Sequence, residues 1–258
     1  MLKQRLFAAL IAIPMVLALS WVGGALFSLA VCILGILALH EFYSMCQITG
    51  RFTKGCGYFG CLLLLTAAWL GGINWLLAAL IFFFLLLNTC WIFLYPFDFK
   101  YLAAVLWGQL YIPFLLSFFI LLRSLENGFF LLFSAILATW ASDSGAYFFG
   151  LALGRHKMLP AVSPKKSWEG AIGGLLAAAV VIAVFAPYFS LDRPAGFLLG
   201  LFFSLAGQIG DLAESALKRW ANKKDSGKFL PGHGGFLDRL DSLLFAVPLA
   251  YFVYVFLF

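Results

Sequence analysis

Apolar residues run along this chain in blocks of about twenty, separated by short polar or glycine-bearing breaks. That length matches the roughly 20 apolar residues a helix needs to cross a hydrocarbon layer about 30 Å thick. Hydropathy and breakers together predict nine helices, near 5–21, 24–46, 57–72, 75–95, 101–122, 129–151, 169–189, 196–217 and 240–258. The third of these is short. Trp21-Val22-Gly23-Gly24 and Gly71-Gly72-Ile73-Asn74 read as tight turns between hairpin helices, because glycine adopts the backbone angles that sharp reversals need. The pattern predicts an all-α fold, a polytopic transmembrane helical bundle of about nine spans. It divides into N-terminal transmembrane helices over 1–125 and a C-terminal transmembrane region over 126–258, with polar loops at 152–168 and 218–239.

Composition makes lipid the solvent. Of 258 residues 64% are apolar, including 30 Phe and 8 Trp, and only 11% are charged, against ~25% in ordinary soluble domains. No stretch of soluble composition is long enough for a separate extramembrane domain.

Charge then sets the orientation. With nine spans, fifteen of the 17 Lys and Arg residues fall on one side and only Arg123 and Arg193 on the other. An excess of basic residues marks the cytoplasmic face, so the N-terminus is expected in the cytoplasm and the C-terminus outside. Lys3 and Arg5 before an apolar run also fit a signal peptide, but the partition requires that the first span be retained. The net charge of +6 is read as orientation and contact with anionic lipid. Nucleic acid is not an expected partner, since no helix-turn-helix, zinc or RNA-binding signature accompanies the charge. Cys32, Cys46, Cys56, Cys61 and Cys90 show no ligand spacing and read as packing residues. A metal site must then use oxygen ligands, which favours a hard cation such as Mg²⁺.

The polar residues gather in two places. One is 152–168, with Gly154-Arg155-His156-Lys157 and Ser163-Pro164-Lys165-Lys166-Ser167; the other is 218–239. Two acids also lie inside apolar helices, Asp143 and Asp211. A charged side chain within a span is costly and usually faces a polar cavity or a partner. Both are expected about 10 Å below the cytoplasmic interface at roughly 1.5 Å per residue, deep enough to line one cytoplasm-facing pocket or to serve as hydrogen bonders between helices. Ser215 at i+4 and Lys218 at i+7 share the helical face of Asp211, and Arg219 follows where the helix leaves lipid. Asp238 and Asp241, three residues apart, share a face at the start of the last helix, where the dipole favours anions. Helix capping and a basic fringe on lipid account for parts of this. They leave unexplained the glycines of Pro231-Gly232-His233-Gly234-Gly235 and the gathering of four acids among lysines and arginines. Acids attract Mg²⁺, while basic groups and backbone N–H attract phosphate oxygens. That is the equipment of phosphoryl or nucleotidyl transfer.

The stretch Ser215-Ala216-Leu217-Lys218-Arg219, Lys224-Asp225-Ser226-Gly227, then Leu230-Pro231-Gly232-His233-Gly234-Gly235-Phe236-Leu237-Asp238-Arg239-Leu240-Asp241 resembles the signature of phosphatidate cytidylyltransferases, also called CDP-diacylglycerol synthases. The segments around Asp143 and over Ser163 to Gly170 are similar to family segments, whereas the first 125 residues match only as hydrophobic helices. The resemblance implies that CTP and phosphatidic acid are converted to CDP-diacylglycerol and pyrophosphate in phospholipid biosynthesis. It also implies Mg²⁺, an acidic cluster able to hold a second cation, a membrane-embedded homodimer and a bacterial inner-membrane location with the site facing the cytoplasm. On this reading Asp143, Asp211, Asp238 and Asp241 hold metal. Lys218, Arg219, Lys224, Arg239, His233 and Ser215 are catalytic, and Lys165, Lys166, Ser167, Gly234 and Gly235 bind substrate. Ser167 is equally suited to be the N-cap of its helix. The nearest alternatives are a CTP-dependent polyprenol kinase and another lipid cytidylyltransferase. A cation or phosphate transporter is more distant, because the acids and basic loops all fall on one side and no internal repeat is evident.

Overall fold

The computed structural model describes residues 2–94, 98–227 and 234–257. The chain is a polytopic, almost wholly helical membrane protein. Its elements are α1 (Leu2–Val22), α2 (Gly24–Met45), α3 (Arg51–Phe93), α4 (Phe99–Gln109), a π turn (Leu110–Phe114), α5 (Leu115–Ser124) and α6 (Gly128–Leu153). A two-stranded ribbon, β1 (Lys157–Leu159) and β2 (Ser163–Ser167), follows; then come α7 (Trp168–Phe185), a 3₁₀ turn (Ala186–Phe189), α8 (Arg193–Trp220) and α9 (Leu237–Leu257). Seven helical stretches among the described residues are long and apolar enough to cross a membrane, and α3, with 43 residues, is one of them. Large apolar side chains such as Leu70, Trp75, Phe82, Val184 and Phe202 are exposed, an arrangement that suits lipid and not water.

At Gly72 α3 breaks, with φ 69° and ψ −156°. Nearly the same angles, φ 66° and ψ −154°, occur at Gly23 between α1 and α2. Both breaks fall in the turns expected from the sequence, at backbone angles that side chains disfavour. In a straight helix Gly60 and Phe83 would be about 35 Å apart at ~1.5 Å per residue. Instead a Cβ on Gly60 would meet the Phe83 ring at 2.5 Å. The two halves of α3 therefore fold back on each other as a hairpin. Its first half starts at Arg51, six residues before the expected 57, because Arg51 and Lys54 continue the helix and are not loop charges.

The chain forms two compact units, one of residues 1–124 with 225–237 and one of 125–224 with 238–258. Unit one has a core of Leu39, Phe42, Tyr43, Leu64, Leu65, Leu76, Ile112 and Leu116. Pro113 lies inside the π turn; lacking an N–H, it cannot make the regular helical bond, and the turn widens there. Nearby, buried Gln109 donates to the Gly57 carbonyl at 2.8 Å, satisfying a polar group that lipid would leave stranded. All five cysteines are free, and Cys32 and Cys61 are buried, as packing residues would be.

Unit two is assembled through small residues. A Cβ at Gly145 would run into the Gly173 carbonyl, one at Gly170 into the Ala146 carbonyl, and one at Gly200 into the Ala179 backbone. α7 thus lies backbone to backbone against α6 on one side and α8 on the other, as membrane helices do where small residues permit close approach. Polar ties reinforce the seam: the Ser142 and Ser204 hydroxyls are 2.7 Å apart, and Gln208 donates to the Ala171 carbonyl at 3.0 Å. The antiparallel ribbon of β1 and β2 is an addition to the purely helical expectation. Its five-residue second strand, Ser163–Ser167, leads straight into α7.

Candidate active site

Unit two brings together acids from three helices. Asp143 lies ten residues before the end of α6 and Asp211 nine before the end of α8. At ~1.5 Å per residue each is about 14 Å or more from its helix terminus, further than the 10 Å expected, because both helices run on past the predicted ends. Asp143 is exposed. It lies in electrostatic contact with Asp211, Lys166 and Arg239, and Asp241 with Asp211, Asp143 and Lys218. The close approach of α8 to α9 follows from Gly210, where a Cβ would strike the Asp241 carbonyl oxygen.

Cations are threaded through this cluster. Lys166, at the end of the ribbon, forms an ion pair with Asp211. Lys218 is held between two carboxylates, Glu214 at 2.5 Å and Asp238 at 2.6 Å. Its side chain is only 12% exposed, against 0% for Glu214 and 10% for Asp238. The i,i+4 pairing with Glu214 folds the ammonium inward. Arg219 is exposed and donates through Nε to the Val162 carbonyl at 3.1 Å, tying the ribbon's turn to α8. Lys165 is exposed on the ribbon, and Ser167 caps α7 by accepting the Gly170 N–H at 3.2 Å. Glu169 in turn takes the His156 ring at 2.6 Å and the backbone N–H groups of Arg155 and His156, closing the base of the ribbon. Ser215 lies half-buried on α8, while Lys224 and Arg239 are exposed.

The glycine-rich segment belongs to unit one. Ser226, Phe236 and Leu237 all hydrogen-bond the carboxylate of Glu41 on α2, each at 3.0 Å. A Cβ on either Gly227 or Gly235 would run into the same carboxylate, so both glycines make room for an acid of the chain itself. Gly234 has φ 81°, and His233 lies outside the described residues.

Two acids that matter here went unnoticed in the sequence, Glu41 and Glu214. Each is buried within an apolar helix, so the cost argument that singled out Asp143 and Asp211 applied equally to them. Among the described residues no group of three or more His, Cys, Asp or Glu side chains is arranged to hold a metal ion.

A model of the cytidylyltransferase family matches residues 3–257. The phosphatidate cytidylyltransferase of Bacillus subtilis (strain 168) is 37% identical over 98% of this chain and 97% of its own length. Those of Staphylococcus haemolyticus (strain JCSC1435) and Staphylococcus aureus (strain COL) are each 35% identical over 96% of this chain and 97% of their own.

Proposed function

The chain belongs to the cytidylyltransferase family, and we propose that it joins CTP to phosphatidic acid, yielding CDP-diacylglycerol and pyrophosphate. The observation that carries this reading is the interleaving in unit two of Asp143, Asp211, Asp238 and Asp241 with Lys166, Lys218 and Arg239. Acids and bases alternating at one place suit a substrate that arrives as a polyanion with a divalent cation.

The chemistry asks little of a general base. A phosphate monoester is mostly dianionic near pH 7, its second pKa being ~6. An oxygen of the lipid phosphate attacks the CTP α-phosphorus, the bond from that phosphorus to the bridging oxygen breaks, and pyrophosphate leaves with the bond's electrons. Alignment and charge neutralisation are what the protein must supply. Arg219, Lys224, Lys165 and Arg239 are exposed, and long basic side chains there can reach phosphate oxygens while keeping their aliphatic stems in place. Lys166 can exchange the Asp211 carboxylate for a phosphate oxygen, and Lys218 neutralises Glu214 and Asp238 beside them. His233, Ser215, Ser167, Gly234 and Gly235 remain assigned to phosphate contacts on the strength of the family signature.

Mg²⁺ draws on one or two protein carboxylates and completes its shell with water and phosphate oxygens, so a site need not gather three acids. Asp143 and Asp241, close enough to repel each other and Asp211, fit such an ion in charge and number, with Asp211 and Asp238 beside them. When bound, it would neutralise the triphosphate. An acidic cluster of this size has capacity for a second cation.

In this reading the chain crosses the membrane nine times, α3 contributing two crossings and α1 one. The N-terminus and the catalytic face are then cytoplasmic, in a bacterial inner membrane, with the protein acting as a homodimer. The test is purified protein with labelled CTP, phosphatidic acid and Mg²⁺. CDP-diacylglycerol and pyrophosphate are the expected products. Phosphorylated lipid with free CDP would mark a kinase instead, and no product would end the proposal.

A further inference from the structure

Glu41 sits near the end of α2, and its side chain is 7% exposed. An acid buried in an apolar helix is retained only where something satisfies it. What satisfies this one is the glycine-rich segment, which arrives from nearly two hundred residues away. One carboxylate oxygen accepts the Ser226 hydroxyl and the Leu237 N–H, and the other accepts the Phe236 N–H. Ser226 opens the segment, and Phe236 and Leu237 close it. A single carboxylate therefore holds Ser226 and the Phe236–Leu237 pair, two parts of the family signature, at one point. It also accepts the backbone N–H of Leu237, the first residue of α9, and that of Phe236 just before it, groups that would otherwise be orphans.

The glycines follow from the same contact. Gly227 and Gly235 are the residues whose Cβ atoms would collide with Glu41, so two small positions of the signature are explained by clearance for this acid. The three donors also decide the side chain. A carboxylate is acceptor-only, whereas glutamine must turn its NH₂ toward one of the two backbone N–H groups whichever way the amide is set.

We propose that Glu41 is a positioning residue for the transferase reaction, clamping Ser226 and the Phe236–Leu237 pair from α2 so that the backbone beside them, at Gly227 and at Gly234–Gly235, is held in place before substrate arrives. The assignment rests on the function proposed above. It touches no substrate in this role.

The experiment compares the purified full chain with Glu41→Gln and Ser226→Ala, in the same lipid nanodiscs. Amide exchange is followed over residues 234–240, and kcat and KM for CTP and phosphatidic acid are normalised to folded protein. Losing a hydrogen bond to a charged group corresponds to roughly tenfold or more in local opening, so exchange at Phe236 and Leu237 should quicken about tenfold in Glu41→Gln, with kcat falling by a similar factor. Ser226→Ala keeps the two amide bonds and should lose a few-fold. Because both changes act on one clamp, the double variant should be no slower than Glu41→Gln alone. Unchanged exchange in the folded Glu41→Gln protein overturns the clamp, and quickened exchange with unchanged kcat overturns its part in the reaction. If Glu41→Gln does not fold, Gly227→Ala, whose methyl would meet the Glu41 carboxylate, takes its place, and unchanged exchange at Phe236 and Leu237 in that protein overturns the clamp. A wild-type protein that makes no CDP-diacylglycerol sinks the functional reading separately, leaving exchange to decide whether Glu41 holds the loop.

Discussion

Lys218→Met removes a cation held between two carboxylates whose side chains are 0% and 10% exposed. Methionine keeps the length and apolar stem of lysine, so the change isolates the charge. Breaking a buried ion pair by deleting one partner costs about 3–5 kcal/mol, because the survivor is left uncompensated. Here there are two survivors, which places the expected loss toward the upper end. For a chain of this size roughly 2–4 °C of midpoint accompanies each kcal/mol, so the apparent melting temperature in detergent should fall by about 10–20 °C. Glu214→Gln in the same chain removes the more deeply buried acid and should recover most of that loss, since a neutral replacement of a buried pair is often tolerated. Thermal unfolding followed by tryptophan fluorescence at a fixed scan rate measures both. A Lys218→Met protein melting within about 2 °C of wild type would refute the reasoning. Turnover per folded molecule is then a separate question: if it is unchanged, Lys218 serves only to neutralise its neighbours and has no phosphate to hold.

Asp211→Asn keeps the shape of its side chain but deletes the charge facing Lys166, and turnover should fall roughly 10- to 100-fold with partial recovery in excess Mg²⁺; a normal rate with normal Mg²⁺ dependence would make the residue structural. Gly210→Ala drives a methyl into the Asp241 carbonyl, whereas Gly207→Ala has 3.6 Å to its nearest neighbour on α9. Thermal unfolding should show about 1–3 kcal/mol lost for the first and well under half of that for the second; equal effects would mean α9 moves freely. Reporter domains fused at the two ends of the chain should report opposite sides of the membrane, and the same side for both would sink the nine-crossing topology.

The helical framework could be read from the chain because bilayer thickness and glycine act locally. Gly23 and Gly72 break their helices where Gly-Gly pairs announced turns, and apolar length alone located α6 to α9 within a few residues. Pairings across sequence were beyond that reach. Nothing near Lys166 in the chain indicates that Asp211 will be its partner, whereas the i,i+4 spacing of Glu214 and Lys218 does announce that pair. The glycines of Pro231-Gly232-His233-Gly234-Gly235 are expected to bring backbone close to something; at Gly235, and at Gly227 before it, that something is Glu41. A carboxylate on the second helix cannot be connected with a loop before the last one by period or spacing. The ribbon of residues 157–167 has no alternating apolar pattern to betray it, since its strands are lysines, a proline and serines.

The separation of Glu41 from its donors also has a meaning for biogenesis. Its partners lie 185 to 196 residues further along the chain. At a synthesis rate of about 5–20 residues per second, roughly 10–40 s pass between the emergence of α2 and that of the groups that satisfy its acid. During that interval the nascent N-terminal helices carry an ionisable side chain near the end of α2, at an insertion cost below the roughly 2.5–3.5 kcal/mol of a helix centre, and the first unit cannot complete itself from its own 124 residues. Chains that terminate early, before Ser226, are therefore distinguishable from finished ones by an exposed polar site inside the bilayer, which is the kind of feature a membrane quality-control protease can read.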